Sequence, residues 1–188
     1  MRVNKNHRGF ITINRFIVLA MLAIVSLNAQ IEVNKNLPDL VLSGDKGGGI
    51  NGEEWKSSDL KNKLNIIFYV APNQQDDVEP LLNKIDSAGY SLESVNVTLI
   101  INTEATWIPN SIIEGKVKGK AKDDTTKNYV LDKDEVLLSE WKLSEDNPNI
   151  IVVDKSGRVI YFLNEELNED YGNDLLKIIE RKIKEDKF

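Results

Sequence analysis

One continuous apolar run of strand length, Asn65-Ile-Ile-Phe-Tyr-Val70, leads the hydrophobic pattern, and Val95-Asn-Val-Thr-Leu-Ile-Ile101 is the next buried-strand candidate. Runs without polar alternation suit strands covered on both faces. Between them, Val78, Leu81, Leu82, Ile85 and Ala88 recur at helical spacing. This predicts a helix over 76–88 that closes on Gly89, with Pro80 removing a hydrogen bond or kinking it in its early turns. Ile113, Val117 and Ala121 form one stripe of a weaker helix over 110–121. Shorter strand signals follow at 129–132, 150–153 and 159–163. The last two flank Asp154-Lys-Ser-Gly157, which is turn chemistry between paired strands. Leu175, Leu176, Ile179 and Ile183 mark an amphipathic helix over 169–184, with Asn168 as its N-cap. Residues 37–42 are strand-like, and a turn-rich stretch covers 43–52. Early alternation of strand and helix implies parallel crossovers, and the late hairpin adds antiparallel strands to the same sheet. The expected class is α/β, three layers, with a mixed central sheet flanked by helices.

The N-terminal stretch follows different rules. Arg2, Lys5, Arg8 and Arg15 form a basic segment, followed by twelve apolar-dominated residues over 16–27. Such a run is too short for a hydrocarbon core that needs about 20 residues. It suits the apolar region of a secretory signal peptide, about 7–15 residues long. Cleavage is expected after Ala29, which divides the chain into a signal peptide over 1–29 and one domain over 30–188. The expected location is the periplasm, with no membrane anchor left after cleavage.

Composition removes whole classes of chemistry. The 188 residues hold no cysteine and a single histidine, His7, inside the leader. Residues 30–188 therefore have neither thiol nor imidazole. Thiol redox, Cys- or Ser–His-based nucleophilic catalysis and structural zinc are excluded there. Thirty acidic residues face 24 basic ones, and four of the basic residues belong to the leader. So acidic a domain is a poor partner for a phosphate backbone, and no nucleic acid is expected.

The remaining motifs favour structural readings. Gly47-Gly-Gly-Ile-Asn-Gly52 fits a dinucleotide-loop spacing, but Glu53 and Glu54 follow at once and would repel a pyrophosphate. It reads as a glycine-rich hairpin. Asp132-Lys-Asp134 with Glu140 lacks the frame of a calcium loop and reads as a strand-end turn with solvated carboxylates. Lys116, Lys118, Lys120 and Lys122 read as the wet face of a helix or loop, and Trp141 as packing. No metal, cofactor or catalytic residue is assigned.

Several stretches together carry a resemblance. Leu37-Pro-Asp-Leu-Val-Leu42, Ser58-Asp-Leu-Lys-Asn-Lys-Leu64 and Asn147-Pro-Asn-Ile-Ile-Val-Val-Asp-Lys-Ser-Gly-Arg-Val159 resemble the opening strand, first helical turn and proline-led hairpin of secreted thioredoxin-like proteins. Ile101-Asn-Thr103, Asp132, Trp141-Lys-Leu143, Glu145 and Val152–Val159 are similar to the YtfJ-like family of secreted bacterial proteins. The resemblance implies a thioredoxin-like fold whose redox window falls at 71–76, where no sulfur is present. It also implies a cis Asn147–Pro148 bond facing that window. On this reading Pro72, Asn73, Gln74, Gln75, Asp76, Asn147 and Pro148 form a face for a protein or peptide partner. An enzyme of a non-redox class using carboxylates at the same face, or a regulator acting through protein contacts, remains the alternative.

Overall fold

The structure, a computed structural model, describes residues 30–185, so the expected signal peptide lies outside the described residues. In chain order the elements are β1 (Val41–Leu42), β2 (Gly47–Gly49), β3 (Trp55–Lys56), β4 (Leu64–Val70), α1 (Gln75–Ser87), β5 (Val95–Asn102), α2 (Asn110–Asp123), β6 (Lys127–Asp132), α3 (Val136–Trp141), β7 (Asn149–Val153), β8 (Val159–Leu163) and α4 (Glu169–Glu185). Six strands form one sheet in the order β2-β6-β5-β4-β7-β8. Strands β4, β5 and β6 run parallel, whereas β2, β7 and β8 each run antiparallel to their neighbours. The stretches 65–70 and 95–101 became the two central parallel strands, and all seven residues of β4 are buried.

Strand alternation assigns each face its cover. Ile66, Phe68 and Val70 of β4, with Val97, Leu99 and Ile101 of β5, meet Val78, Leu81 and Ile85 of α1, Ile113 and Val117 of α2, and Leu175 and Ile179 of α4. The opposite face, with Ile67, Ile100 and Val130 at its centre, is covered by Leu137, Leu138 and Trp141 of α3 and by Ile31, Leu37, Leu42 and Leu60 from the N-terminal segment. Three layers result, as the element order required. Asn168 caps α4, its Oδ1 accepting the Tyr171 N–H at 3.0 Å. Gly89 closes α1 at φ 63°, and Pro80 is held inside that helix.

Four expectations are corrected. The opening strand over 37–42 shrinks to the two residues of β1, which pair with β3 in a separate ribbon. The glycine stretch is more than a hairpin, because Gly47–Gly49 forms an edge strand against β6. Gly47 and Gly48 sit at φ 122° and 135°, and a Cβ at Gly47 would lie 2.0 Å from the Leu131 carbonyl oxygen. The 132–140 stretch carries a short helix, α3, that hydropathy spacing did not separate from its surroundings. The Asn147–Pro148 bond is trans, as are all peptide bonds among the described residues. Trans proline directly before a strand leaves the ladder intact, since β7 begins at Asn149 with no N–H needed from Pro148.

Candidate functional site

Parallel strands end together, and the crevice beyond their C-terminal ends is where open α/β sheets place ligands. Here β4, β5 and β6 deliver Tyr69, Asn102 and Asp132 to that end on one sheet face, all of them buried. Asp132 was read as a solvated turn carboxylate; it is wholly buried instead. Its Oδ1 accepts the Val136 N–H at 2.9 Å, and its Oδ2 accepts the Leu137 N–H at 2.9 Å and the Tyr69 hydroxyl at 3.2 Å. The carboxylate thus satisfies the opening amides of α3. Burial pushes the Asp132 carboxyl above the usual carboxylate range, and the hydrogen bonds from Leu137, Val136, Asp134 and Tyr69 offset this only in part. Burial and the neighbouring Asp132 charge also push the Tyr69 hydroxyl up, so it stays a protonated donor.

Glu135 and Lys142 bracket α3 in left-handed conformations, at φ 51° and 56°. Glu135 turns its carboxylate to the sheet, where Oε1 accepts from Asn102 Nδ2 at 3.2 Å. Together with Ala71, Gln74, Ala105, Leu138, Ser144, Glu145 and Asp146, Tyr69, Asn102 and Glu135 line a cleft of about 250 Å³. Thr103 Oγ1, next to Asn102, is buried with no hydrogen-bond partner among the described residues.

The structure divides the residues expected at the site. Gln74 is buried and acts as a staple. Its Oε1 accepts the Ala71 N–H at 2.9 Å, while its Nε2 donates to the Glu145 carbonyl at 3.3 Å. That bond joins the strand-to-helix turn to the loop before Pro148, so the two segments do face each other. Pro72, Asn73, Gln75 and Asp76 point elsewhere, into a second cleft of about 320 Å³ shared with Ile108, Ile113, Val117, Lys116 and Lys120. Lys120 Nζ donates to Gln75 Oε1 at 2.8 Å across it. Pro148 is buried, and the Asn147 carbonyl accepts from Asn149 Nδ2 at 3.1 Å. The same Asn149 side chain holds Ser144 through its N–H (2.8 Å) and its carbonyl (2.9 Å). The backbone beside the proline is therefore engaged within its own loop.

Between the two clefts runs the 103–108 loop, and at its tip Trp107 is 92% exposed. Sequence reading missed Tyr69, Glu135 and the burial of Asp132. The one available signal was the grouping of Asn102, Asp132 and Glu145 among the family-like positions. The four lysines of α2 lie on its wet side and Trp141 is fully buried, as read.

Comparison with known proteins agrees with the architecture. The thioredoxin domain of a thiol-disulfide oxidoreductase from Bacteroides vulgatus superposes with a TM-score of 0.56 at 16% identity, covering 80% of this chain and 99% of that one. The exposed lipoprotein thioredoxin of Streptococcus pneumoniae gives 0.56 at 16%, covering 76% and 98%. The fold is thioredoxin-like, without the cysteines of thiol chemistry. In sequence, the "Uncharacterized protein YtfJ" of Escherichia coli is 23% identical over 150 residues, 78% of this chain and 79% of that protein. An "Uncharacterized protein" of Haemophilus influenzae is 21% identical over 149 residues, 74% and 80%. Residues 27–182 match the family described as "Bacterial protein of unknown function (YtfJ_HI0045)", and the chain belongs to that family.

Proposed function

We propose that this chain is an exported, redox-inactive thioredoxin-like protein that binds an extended peptide segment of a partner across the 103–108 loop. The observation that carries this reading is the exposed Trp107 between two clefts of unlike chemistry. One cleft presents Glu135, Glu145 and Asp146, and so favours a Lys or Arg side chain. The other has apolar walls of Pro72, Ile108, Ile113 and Val117, which suit an aliphatic or aromatic side chain. A large exposed aromatic is the type of residue that anchors interfaces. Export is supported by the basic and apolar segments before residue 30.

Arrays of unstructured peptides, probed with residues 30–188, test the binding. Retention is expected on peptides that combine a basic residue with a nearby apolar one, and Trp107→Ala should reduce it. Equal retention on acidic peptides of the same length, or no effect of W107A, overturns the reading. Mass spectrometry of fractionated cells tests export. Protein outside the cytoplasm should lack residues 1–29, and an intact Met1 in the cytoplasmic fraction overturns that part.

A further inference from the structure

At the opposite end of β4, β5 and β6 lies a feature that peptide binding leaves unused. The same sheet face that ends in Tyr69, Asn102 and Asp132 begins in Asn65, Asn96 and Asn128. These three amides form a chain across the strands. Asn128 Nδ2 donates to Asn96 Oδ1 at 2.6 Å, Asn96 Nδ2 donates to Asn65 Oδ1 at 3.0 Å, and Asn65 Nδ2 donates to the Lys63 carbonyl at 3.0 Å. Thr98 Oγ1 accepts a longer bond from Asn96 at 3.5 Å. Asn65 and Thr98 are buried, whereas Asn128 is exposed. Polar side chains inside central strands cost free energy that apolar residues would not, so the row calls for a use.

The chain of amides has a direction. Every one donates toward Lys63, and an amide that donates through its N–H becomes a stronger acceptor at its oxygen. Asn128 Oδ1 stands at the head of the chain, at the exposed end, with no partner among the described residues. It opens on a cleft of about 370 Å³, where Asn96, Thr98 and Asn128 meet Trp55, Glu53 and Asp59. That volume falls within the usual range for small-molecule sites, about 300–1,000 Å³. Both cations beside the cleft are already paired. Lys56 binds Glu54 at 2.6 Å, and Lys127 binds Asp86 at 2.8 Å and Asp124 at 2.5 Å. Among the described residues that line the cleft, no ammonium is left unpaired to hold a phosphate or carboxylate. The cleft offers amides, carboxylate acceptors and one indole ring.

We infer that this cleft is a binding site for a neutral saccharide. Amide and carboxylate groups match adjacent sugar hydroxyls, which both donate and accept. The half-buried Trp55 ring, fixed edge-to-face against Trp141 at 6.2 Å, supplies a rigid apolar surface for the C–H face of a pyranose. The site is separate from the 103–108 loop, so either assignment can fail alone.

The test is NMR of the side-chain amide signals of the ¹⁵N-labelled domain, titrated with glucose, galactose, N-acetylglucosamine, maltose and cellobiose. At least one of these is expected to shift the Asn96 and Asn128 amide signals and the Trp55 indole saturably, without moving that of Trp107. Asn128→Ala and Trp55→Ala should each weaken that binding about tenfold, the loss of one well-placed contact. N128A leaves the core intact and guards against a folding artefact. Absence of saturable shifts with all five sugars overturns the inference. So does a stronger response to spermidine, which would mark the cleft as a site for cationic amines.

Discussion

One face of the three parallel strands is polar at both ends and apolar in the middle. Asn65, Asn96 and Asn128 lie at one end, Ile67, Ile100 and Val130 at the centre, and Tyr69, Asn102 and Asp132 at the other. The two polar ends are used differently. Near Asp132 the chain folds back as α3, and its amides consume the carboxylate, so the polar groups there are internal struts. Near Asn128 no helix returns, and the amides bond one another while the last faces an open cleft. Burial alone does not separate the two ends, because Asn65 and Thr98 are as hidden as Asn102. What separates them is whether the final polar atom has a partner from the chain itself.

The sharpest way to break this contrast is Asp132→Ala. It orphans the Val136 and Leu137 amides and the Tyr69 hydroxyl. At about 1–3 kcal/mol for each of these three donors, the expected loss is about 3 kcal/mol or more, read by urea unfolding. A loss below about 1 kcal/mol would mean that water replaces the carboxylate and that the site is open after all. At the other end, Asn96→Ala strands the buried Asn65 oxygen but only an exposed Asn128 donor. The expected loss is about 1–2 kcal/mol.

Asp132→Asn sharpens the electrostatic half of the comparison. Because burial raises the Asp132 pKa above 3.8, the folded state favours its proton. That contribution is complete below pH 3.8 and is lost as pH rises through the folded-state value. The stability of wild type relative to D132N should therefore fall from acid toward neutral pH in denaturant titrations. A difference that rises with pH would show that the backbone amides outweigh burial. The smallest effect belongs to Asn128→Ala, expected within about 0.5 kcal/mol of wild type because the residue is exposed. A larger loss would turn the amide row from an open site into a strut like its counterpart.

The sequence displayed the elements built on long-range burial and concealed those built on local closure. Strand β4 was readable because a strand covered on both faces leaves a continuous apolar run, and β5 because its apolar residues dominate a stretch of strand length. Helix α4 was readable because its inward residues repeat at helical spacing above an Asn cap. Strand β2 was hidden because three glycines have no side-chain pattern to read. Helix α3 was hidden because six residues are too few for a period, and its ends depend on two left-handed residues, Glu135 and Lys142, that are not glycine. The site suffered from the same limits. Within the window at 71–76, Gln74 turns inward to the loop before Pro148 while its neighbours turn outward, a split that the spacing of five polar and turn residues does not reveal. Asp132 looked like a surface turn residue because the helix that buries it was itself missed.

The glycine strand β2 bears on how the molecule behaves in a concentrated compartment. A sheet rim is a template on which another chain can add a strand, the first step toward aggregation. This rim is only three residues long, and at Gly47 and Gly48 its backbone takes φ values of 122° and 135°, far from those of a flat strand. It has no side chains to form a dry interface with a newcomer, and it turns back at once toward Glu53, whose carbonyl accepts the Gly49 N–H at 2.8 Å. A substitution that lengthened the strand would also extend the adhesive edge. At Gly47 even a single methyl group meets the Leu131 carbonyl, so drift toward a longer, stickier rim is blocked at its first position.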